Sequence, residues 1–558
     1  MNIGEMQRKL SLWAEQDKGR KFYGLFDLIC DMDWLWLAYE YVAQNAGSKT
    51  AGCDGVNVWE FDQDAAGNLR RLRESLKSGK FEARPVRRVY IPKPNGKVRP
   101  LGIPAFGDRV VQEAVRMVLE PIFEADFSQH SFGFRPGRCT MDAVQYLLTN
   151  AKEGKGYFWA IEGDISAYFD TINHRRLMKL LRRRVDDAKL LDLIWKFLRA
   201  GVMERRLFKD TKLGTPQGGI VSPLLANVYL HELDRFMGKY TALTDSQRRA
   251  RRRRQGLSNF VYARYADDFV ILCNGTRGQA LEMRKEVHDY LRDRLHLGLS
   301  LEKTKVSHLN DGFDFLGFHL QRSLGHAGMV TKLTIPEKAL ERHRAIIRGA
   351  TAPGTHADSI RAKLRAVNRI IGGWCRYYQY TSKACRQFSR MERETFWLVA
   401  HWLARKHRLA MPETLARFYA EHVKGAPKTL GTDEVWLIRH TSHKARRYGG
   451  SPFKPNPYTT QEAHFEREEL LEDNPWRGTE SRPGMADLRV LVLKRDGYRC
   501  RLCQQPVTEE TAQVDHLRPV WSFKRPVDAN YLENLWTLCI PCHKWKTECD
   551  RQRESRMQ

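Results

Sequence analysis

Three carboxylates in two apolar settings are the first residues of this 558-residue chain whose types and spacing point to chemistry. In Phe260 to Cys273, FVYARYADDFVILC, two β-branched and aromatic runs flank Asp267-Asp268, a pattern that predicts a buried hairpin carrying an acidic pair. Adjacent carboxylates in an apolar hairpin are costly unless something cationic neutralises them, and the usual neutraliser is a divalent metal held by oxygen ligands. Upstream, Tyr157 to Asp170, YFWAIEGDISAYFD, reads as a second apolar strand ending in an acid, Asp164, before a helix-like stretch. A strand-end Asp and an Asp-Asp hairpin are what a two-metal phosphoryl-transfer site requires, with two ions clamping the attacking and leaving oxygens. A second set of candidates lies far downstream. Cys500-x-x-Cys503 and Cys539-x-x-Cys542 have the spacing of a structural zinc site, with Asp515-His516 and Asn534 between them and His543 directly after.

Asp164 followed by Tyr-Ala-Asp-Asp at Tyr265 to Asp268 resembles the palm of the reverse transcriptases, and Mg²⁺ is the metal this implies at the three acids. Further stretches extend the resemblance. Phe169, five residues after Asp164, matches the position under the nucleotide sugar, where an aromatic ring excludes a 2′-hydroxyl. Arg87 to Pro104 reads as a hairpin turning at Asn95-Gly96, with Lys97 and Arg99 on one face of the returning strand. The resemblance places it in the fingers, against the incoming triphosphate. HSFGFRPGR, His130 to Arg138, looks like another fingers motif. Gly214 to Asp234, containing Gln217, resembles the template and nucleotide pocket, LSLEKTKV the motif whose lysine (Lys303) nears the triphosphate, and FDFLGF, Phe313 to Phe318, the primer grip. GWCRYY, Gly373 to Tyr378, resembles the maturase domain of intron-encoded proteins. The downstream set resembles the HNH nucleases: His516 would be the base that activates water, Asp515 and His543 would bind a catalytic Mg²⁺, Asn534 would brace the fold, and Zn²⁺ on the four cysteines would be structural. Together these motifs resemble a bacterial group II intron-encoded protein.

The elements that must position these residues follow from composition and period. Residues 1–80 look helical, with aromatic clusters, and are expected to pack as an extension on the next domain. Fingers and palm are expected over 81–328, a helical thumb or maturase domain over 329–424, a Pro-, Gly- and charge-rich linker or DNA-binding region over 425–485, and the nuclease module over 486–558. The apolar residues Ile360, Leu364, Val367, Ile371, Trp374 and Tyr378 make a helical stripe, interleaved with Arg361, Lys363, Arg365, Arg369 and Arg376. Between the Gly-rich turn and the acidic hairpin, Arg248 to Arg254 holds six arginines in seven residues, among them Arg248, Arg249, Arg251 and Arg252. Blocks of like charge repel one another, so this run is expected to be an RNA-contacting loop.

The formal net charge of +28 argues for a polyanionic partner, since each phosphate neutralised by Lys or Arg releases condensed counterions. Residues 486–558 hold 13 basic and 10 acidic side chains, which leaves +25 in residues 1–485 and places the principal nucleic-acid surface there. No apolar run is long enough to span a bilayer, and Glu5 interrupts what would be a signal peptide, so a cytoplasmic protein is expected. The expected class is α+β: a right-hand polymerase, an α-helical thumb and a small zinc-bound ββα HNH domain. The function the resemblance implies is RNA-directed DNA synthesis, assisted splicing of intron RNA and nicking of target DNA. Intron RNA, target DNA and deoxynucleoside triphosphates are the partners. The alternatives are a retron- or CRISPR-associated reverse transcriptase and a splicing-only RNA-binding maturase.

Overall fold

The two acid-bearing segments lie side by side in one antiparallel sheet. The computed structural model describes residues 3–92, 98–204, 207–209, 214, 218–300, 304–325, 328–422, 427–460, 489, 492–509, 511–517, 534–543 and 546–547. Lys97, Gln217, Lys303 and the Asn95-Gly96 turn lie outside them. The strands in chain order are β1 (Val86–Pro92), β2 (Val98–Ile103), β3 (Trp159–Asp164), β4 (Val202–Glu204), β5 (Leu207–Lys209), β6 (Phe260–Tyr265), β7 (Asp268–Cys273), β8 (Val306–His308), β9 (Phe313–Phe315), β10 (Phe318–Gly325), β11 (Gly328–Thr334), β12 (Tyr419–Ala420), β13 (Thr429–Thr432), β14 (Val435–Trp436), β15 (Ala512–His516) and β16 (Leu535–Cys539).

The chain divides into two compact units, residues 1–38 with 50–457, and residues 39–49 with 458–558. In the first, a mixed α/β unit, β6-β7-β3-β8 form a four-stranded sheet and β2-β1-β4-β5 another. The first sheet exists because β6 and β7 are apolar on both faces, burying all but the residues nearest the turn. Helix Phe106–Glu124 is buried along nearly its whole length. Helix Ile3–Gln16 docks on it, with Gln7 donating from Nε2 to the Met117 carbonyl at 2.8 Å. Helix Ile3–Gln16 thus packs on the body of the first unit.

Beyond β11, helices Glu337–Ala350, Ile360–Tyr378 and Ala384–His407 pack together. Of the expected stripe, Leu364, Val367, Ile371 and Tyr378 are buried, in the same core as the back of the β6-β7-β3 sheet. Arg361, Arg365, Arg369 and Arg376 face outward. Lys363 does not: it is buried, its Nζ bonded to the Ala350 carbonyl and 2.9 Å from Asp358, closing the end of the preceding helix.

Two stretches differ from expectation. The arginine run is a helix, Asp245–Gln255, because Thr244 and Gln247 make a reciprocal capping box and Gly256 ends the helix in the left-handed region that glycine favours. From residue 425, expected as a linker or DNA-binding region, the described residues to 457 pack on the first unit and do not run as a free linker. Leu430, Val435 and Leu437 join the core shared by the helices beyond β11, and Tyr448 donates to Asp142 Oδ1 at 2.6 Å. In SPFKPNP, Phe453 meets the rings of His130 and Tyr146, and Asn456 bonds to Ser11 and Glu15. An aromatic every few residues between prolines pins an extended strap without any regular element.

In the second unit, β15 and β16 pair antiparallel, and Leu493, Cys500, Val507, Ala512 and Leu538 form a small core.

Candidate active site

The register of β3 against β7 sets Asp164 directly opposite Asp268, while β6 and β7 are joined through a two-residue turn, Ala266-Asp267. Three carboxylates therefore converge at one end of the sheet. Ala266 has φ 57°, a left-handed conformation that costs a non-glycine residue on the order of 1 kcal/mol, so the surroundings must impose it.

They do so through a buried network that the sequence reading missed. Arg264, fully buried, donates to Asp234 from Nε at 2.8 Å and from Nη2 at 2.6 Å, to Asn227 Oδ1 at 2.9 Å, and to the carbonyl of Ala266 itself at 2.9 Å. Tyr262 donates its hydroxyl to Asp234, and Asn227 donates to the Gly133 carbonyl. Burial alone would raise the Asp234 carboxyl, but the Arg264 guanidinium beside it holds it far below the usual carboxylate range. The signal was present in FVYARYADD: an arginine inside a strand buried on both faces must have a carboxylate partner.

Gly133, in HSFGFRPGR, lies so close to Ala266 and Tyr265 that a Cβ there would collide with the backbone of the turn. Residues 130–132 run parallel beside β6, with Phe132 N bonded to the Arg264 carbonyl at 2.8 Å and Arg264 N to the His130 carbonyl at 2.9 Å. This places Phe134, 48 % exposed, edge-on to Phe169 with ring centroids 6.3 Å apart. Phe169 sits in the short helix Tyr168–Thr171, anchored by Tyr168, whose hydroxyl reaches the Ala226 carbonyl at 2.6 Å. Gly214 packs on the main chain of Phe169 and Asp170, and Gly218 on the Gly102 carbonyl of β2, at contacts no side chain would allow. Residues 298–300 pair with 164–166: Ser300 N bonds to the Asp164 carbonyl and Ser166 N to that of Gly298, both at 2.9 Å. FDFLGF forms β9, a turn and the start of β10. Tyr377 and Tyr378 of GWCRYY hold this turn by bonding the Leu316 and Gly317 carbonyls at 2.6 and 3.2 Å.

Electrostatically the cluster is built for a cation. Burial pushes Asp267 up, the Asp164 charge pushes it further, and Arg99 and Arg264 offset only part of this. A divalent ion shared by the acids would reverse that shift, so this donor set fits the Mg²⁺ that reverse-transcriptase chemistry implies.

The arginines divide. Arg249 and Arg252 are exposed, but Arg248 donates to the Thr241 carbonyl, and Arg251 donates to the Ser258 carbonyl and lies 5.3 Å over the Tyr240 ring. Arg248 and Arg251, both half-buried, thus also hold the helix in place. Arg361, Arg365 and Arg369 are exposed, Arg361 near Glu434 at 3.9 Å.

In the second unit the ligand atoms of Cys500, Cys503, Cys539 and Cys542 all lie within 4.8 Å of one another. Backbone N–H groups of Cys503, Cys539 and Leu502 outweigh burial and bring the Cys500 thiol down to about 6, whereas sharing protons with Cys539 pushes Cys542 up to about 12. Four thiols so close ionise together only around a cation, and this cluster fits a metal ion. Asp515 and His516 lie on β15, His516 Nδ1 3.9 Å from Asp515 Oδ1, with His543 Nε2 3.9 Å and Lys546 Nζ 3.4 Å from Asp515 Oδ2. Asn534 is buried and its carbonyl accepts from Leu517 N at 2.6 Å.

Among the described residues no helix is long and apolar enough to cross a membrane. Residues 91–320 match the family model for reverse transcriptase (RNA-dependent DNA polymerase), and residues 340–417 match that for the group II intron maturase-specific domain. Over 364 residues the chain is 43 % identical to Protein YkfC of Escherichia coli, covering 61 % of this chain and 93 % of that protein. It is 33 % identical over 377 residues to the group II intron-encoded protein LtrA of Lactococcus lactis, covering 59 % of this chain and 62 % of LtrA. A 91 kDa protein in the cob intron of Schizosaccharomyces pombe is 32 % identical over 393 residues, 62 % of this chain and 46 % of that protein. The acids and their sheet fall within the first matched region and helices Ile360–Tyr378 and Ala384–His407 within the second, and the chain belongs to the family of group II intron-encoded proteins with reverse transcriptase and maturase domains.

Proposed function

We propose that this chain copies intron RNA into DNA, holds the folded intron while it splices, and nicks one strand of a DNA target to create the primer. The pairing of Asp164 with Asp268, beside a turn that half-buries Asp267, carries the polymerase reading. In it Asp164, Asp267 and Asp268 hold Mg²⁺, which when bound supplies Lewis acidity to the oxygens of the reacting phosphate. Phe169 lies under the nucleotide sugar, Gln217 belongs to the nucleotide pocket, and Lys97, Arg99 and Lys303 meet the triphosphate. Arg248, Arg249, Arg251, Arg252, Arg361, Arg365 and Arg369 face intron phosphates.

The nuclease reading rests on Asp515, His516 and His543 gathering beside a four-cysteine cluster. In it Zn²⁺ on the cysteines folds the module, Asp515 and His543 hold the catalytic metal, His516 draws a proton from water, and Asn534 braces the β15–β16 pair. A structural ion folds its module whereas a general base only acts within it, so the two roles separate by mutation. Cys500→Ser should release zinc and unfold the module. His516→Ala should retain zinc and DNA binding but lose the nick, as scored by zinc content and strand cleavage of one DNA. Loss of zinc from His516→Ala would show that base and ligand have been confused.

A further inference from the structure

This inference deepens the intron-RNA-binding reading above and rests on it. On helix Ala384–His407, Trp397 is 48 % exposed, and Tyr419 at the start of β12 is 40 % exposed. Phe396 lies edge-on to both rings, at 5.3 and 5.4 Å between centroids, fixing their positions. With Arg393, Lys428 and Arg439 these rings line a cleft of about 260 Å³ between the helix and the β12-β13-β14 sheet.

The charges on this cleft are of two kinds. Arg439 donates to Glu392 at 2.7 Å, and Thr441 bonds the same carboxylate through its N–H and its hydroxyl, so the one acid in the lining is already satisfied. Arg393 and Lys428 are exposed and have no carboxylate partner among the described residues. Two unpaired cations flanking exposed aromatic rings are complementary to a stacked base with its phosphates, and ill-suited to an apolar peptide. A base inside an A-form duplex keeps both faces stacked on its neighbours and cannot enter, whereas a base in a loop or bulge can be splayed out. Because the lining carboxylate is occupied, the cleft offers stacking more than edge reading and should tolerate any base.

We propose that this cleft seats one unpaired RNA base, stacked on Trp397 and Tyr419, with its flanking phosphates on Arg393 and Lys428. The test uses the full chain and two short RNA hairpins, one with a single bulged 2-aminopurine and one fully paired, plus the DNA version of the bulged hairpin. Wild type should prefer the bulged RNA and quench its fluorescence. Trp397→Ala should lose about 10-fold in affinity for the bulged RNA and the quenching with it, while its affinity for the paired RNA and its primer extension stay unchanged. Trp397→Phe should restore most of the preference. The double change Arg393→Ala with Lys428→Ala should keep the quenching and lower the salt dependence by about two phosphate contacts.

If wild type binds neither RNA, the RNA-binding reading itself falls. If it binds both RNAs equally or if Trp397→Ala keeps the preference, the cleft is not a base site while that reading stands, and if bulged DNA serves as well the site is not one for RNA. Should Trp397→Ala lose primer extension through misfolding, the Trp397→Phe and Arg393/Lys428 results decide.

Discussion

At the scale of single residues, ring size at Phe169 is the sharpest lever. Phe134 meets its ring edge-on, and the Gly214 backbone packs on the main chain of Phe169 and Asp170. Phe169→Val should admit ribonucleotides while keeping most deoxynucleotide incorporation, measured as the ratio of the two efficiencies, and an unchanged ratio would make Phe169 an ordinary packing residue. Asp267 supplies a pH dependence. Burial, then the Asp164 charge, raise its carboxyl above the usual range near 3.9, so the metal-binding carboxylate is lost at a higher pH than an ordinary aspartate would lose it. The Mg²⁺ concentration for half-maximal primer extension should therefore climb as pH is lowered. Asp164→Asn removes one of the raising charges and should shift Asp267 downward, which carboxyl NMR of the metal-free protein would detect.

At the scale of elements, the polymerase sheet depends on an ion pair that touches no substrate. Asp234 and Arg264 are both buried, and deleting one partner strands a charge in the core. Asp234→Ala should cost about 3–5 kcal/mol in urea unfolding. Arg264 also holds the Ala266 carbonyl, so its loss should depress extension even where the fold survives. The sign with pH follows from Asp234 being depressed: its contribution is present above the unfolded-state value near 3.9 and fades as pH falls toward its lower folded value. Much of this architecture was legible, because strands apolar on both faces and acids at their ends constrain the sheet closely. The thumb stripe was legible for the same reason, through its helical period. Lys363 was not, since charge alone does not reveal that an amine caps a neighbouring helix. The arginine run was misread because local capping by Thr244, Gln247 and Gly256 overrode repulsion among exposed guanidinium groups. The strap at 451–457 was illegible because its order comes from contacts with residues more than 300 positions away.

At the scale of the whole molecule, the proposed polymerisation and RNA binding share one chain but use separate residues. Asp164, Asp267 and Asp268 close one end of a sheet, whereas Arg361, Arg365 and Arg369 line the outer face of a helix packed behind it. Several phosphate contacts imply an affinity that falls steeply with salt, and removing three should flatten that slope. Low magnesium leaves intron phosphates least screened and makes the protein's counter-charge matter most. The decisive measurement is therefore splicing of the encoding intron at low magnesium, with primer extension on an RNA template run in parallel, for wild type, Asp267→Ala and the Arg361/Arg365/Arg369→Ala triple variant. The account predicts that Asp267→Ala splices normally but makes no DNA, and that the triple variant splices poorly but extends a primer. Full extension by Asp267→Ala would contradict the polymerase site, and unimpaired splicing by the triple variant would contradict the RNA-binding face.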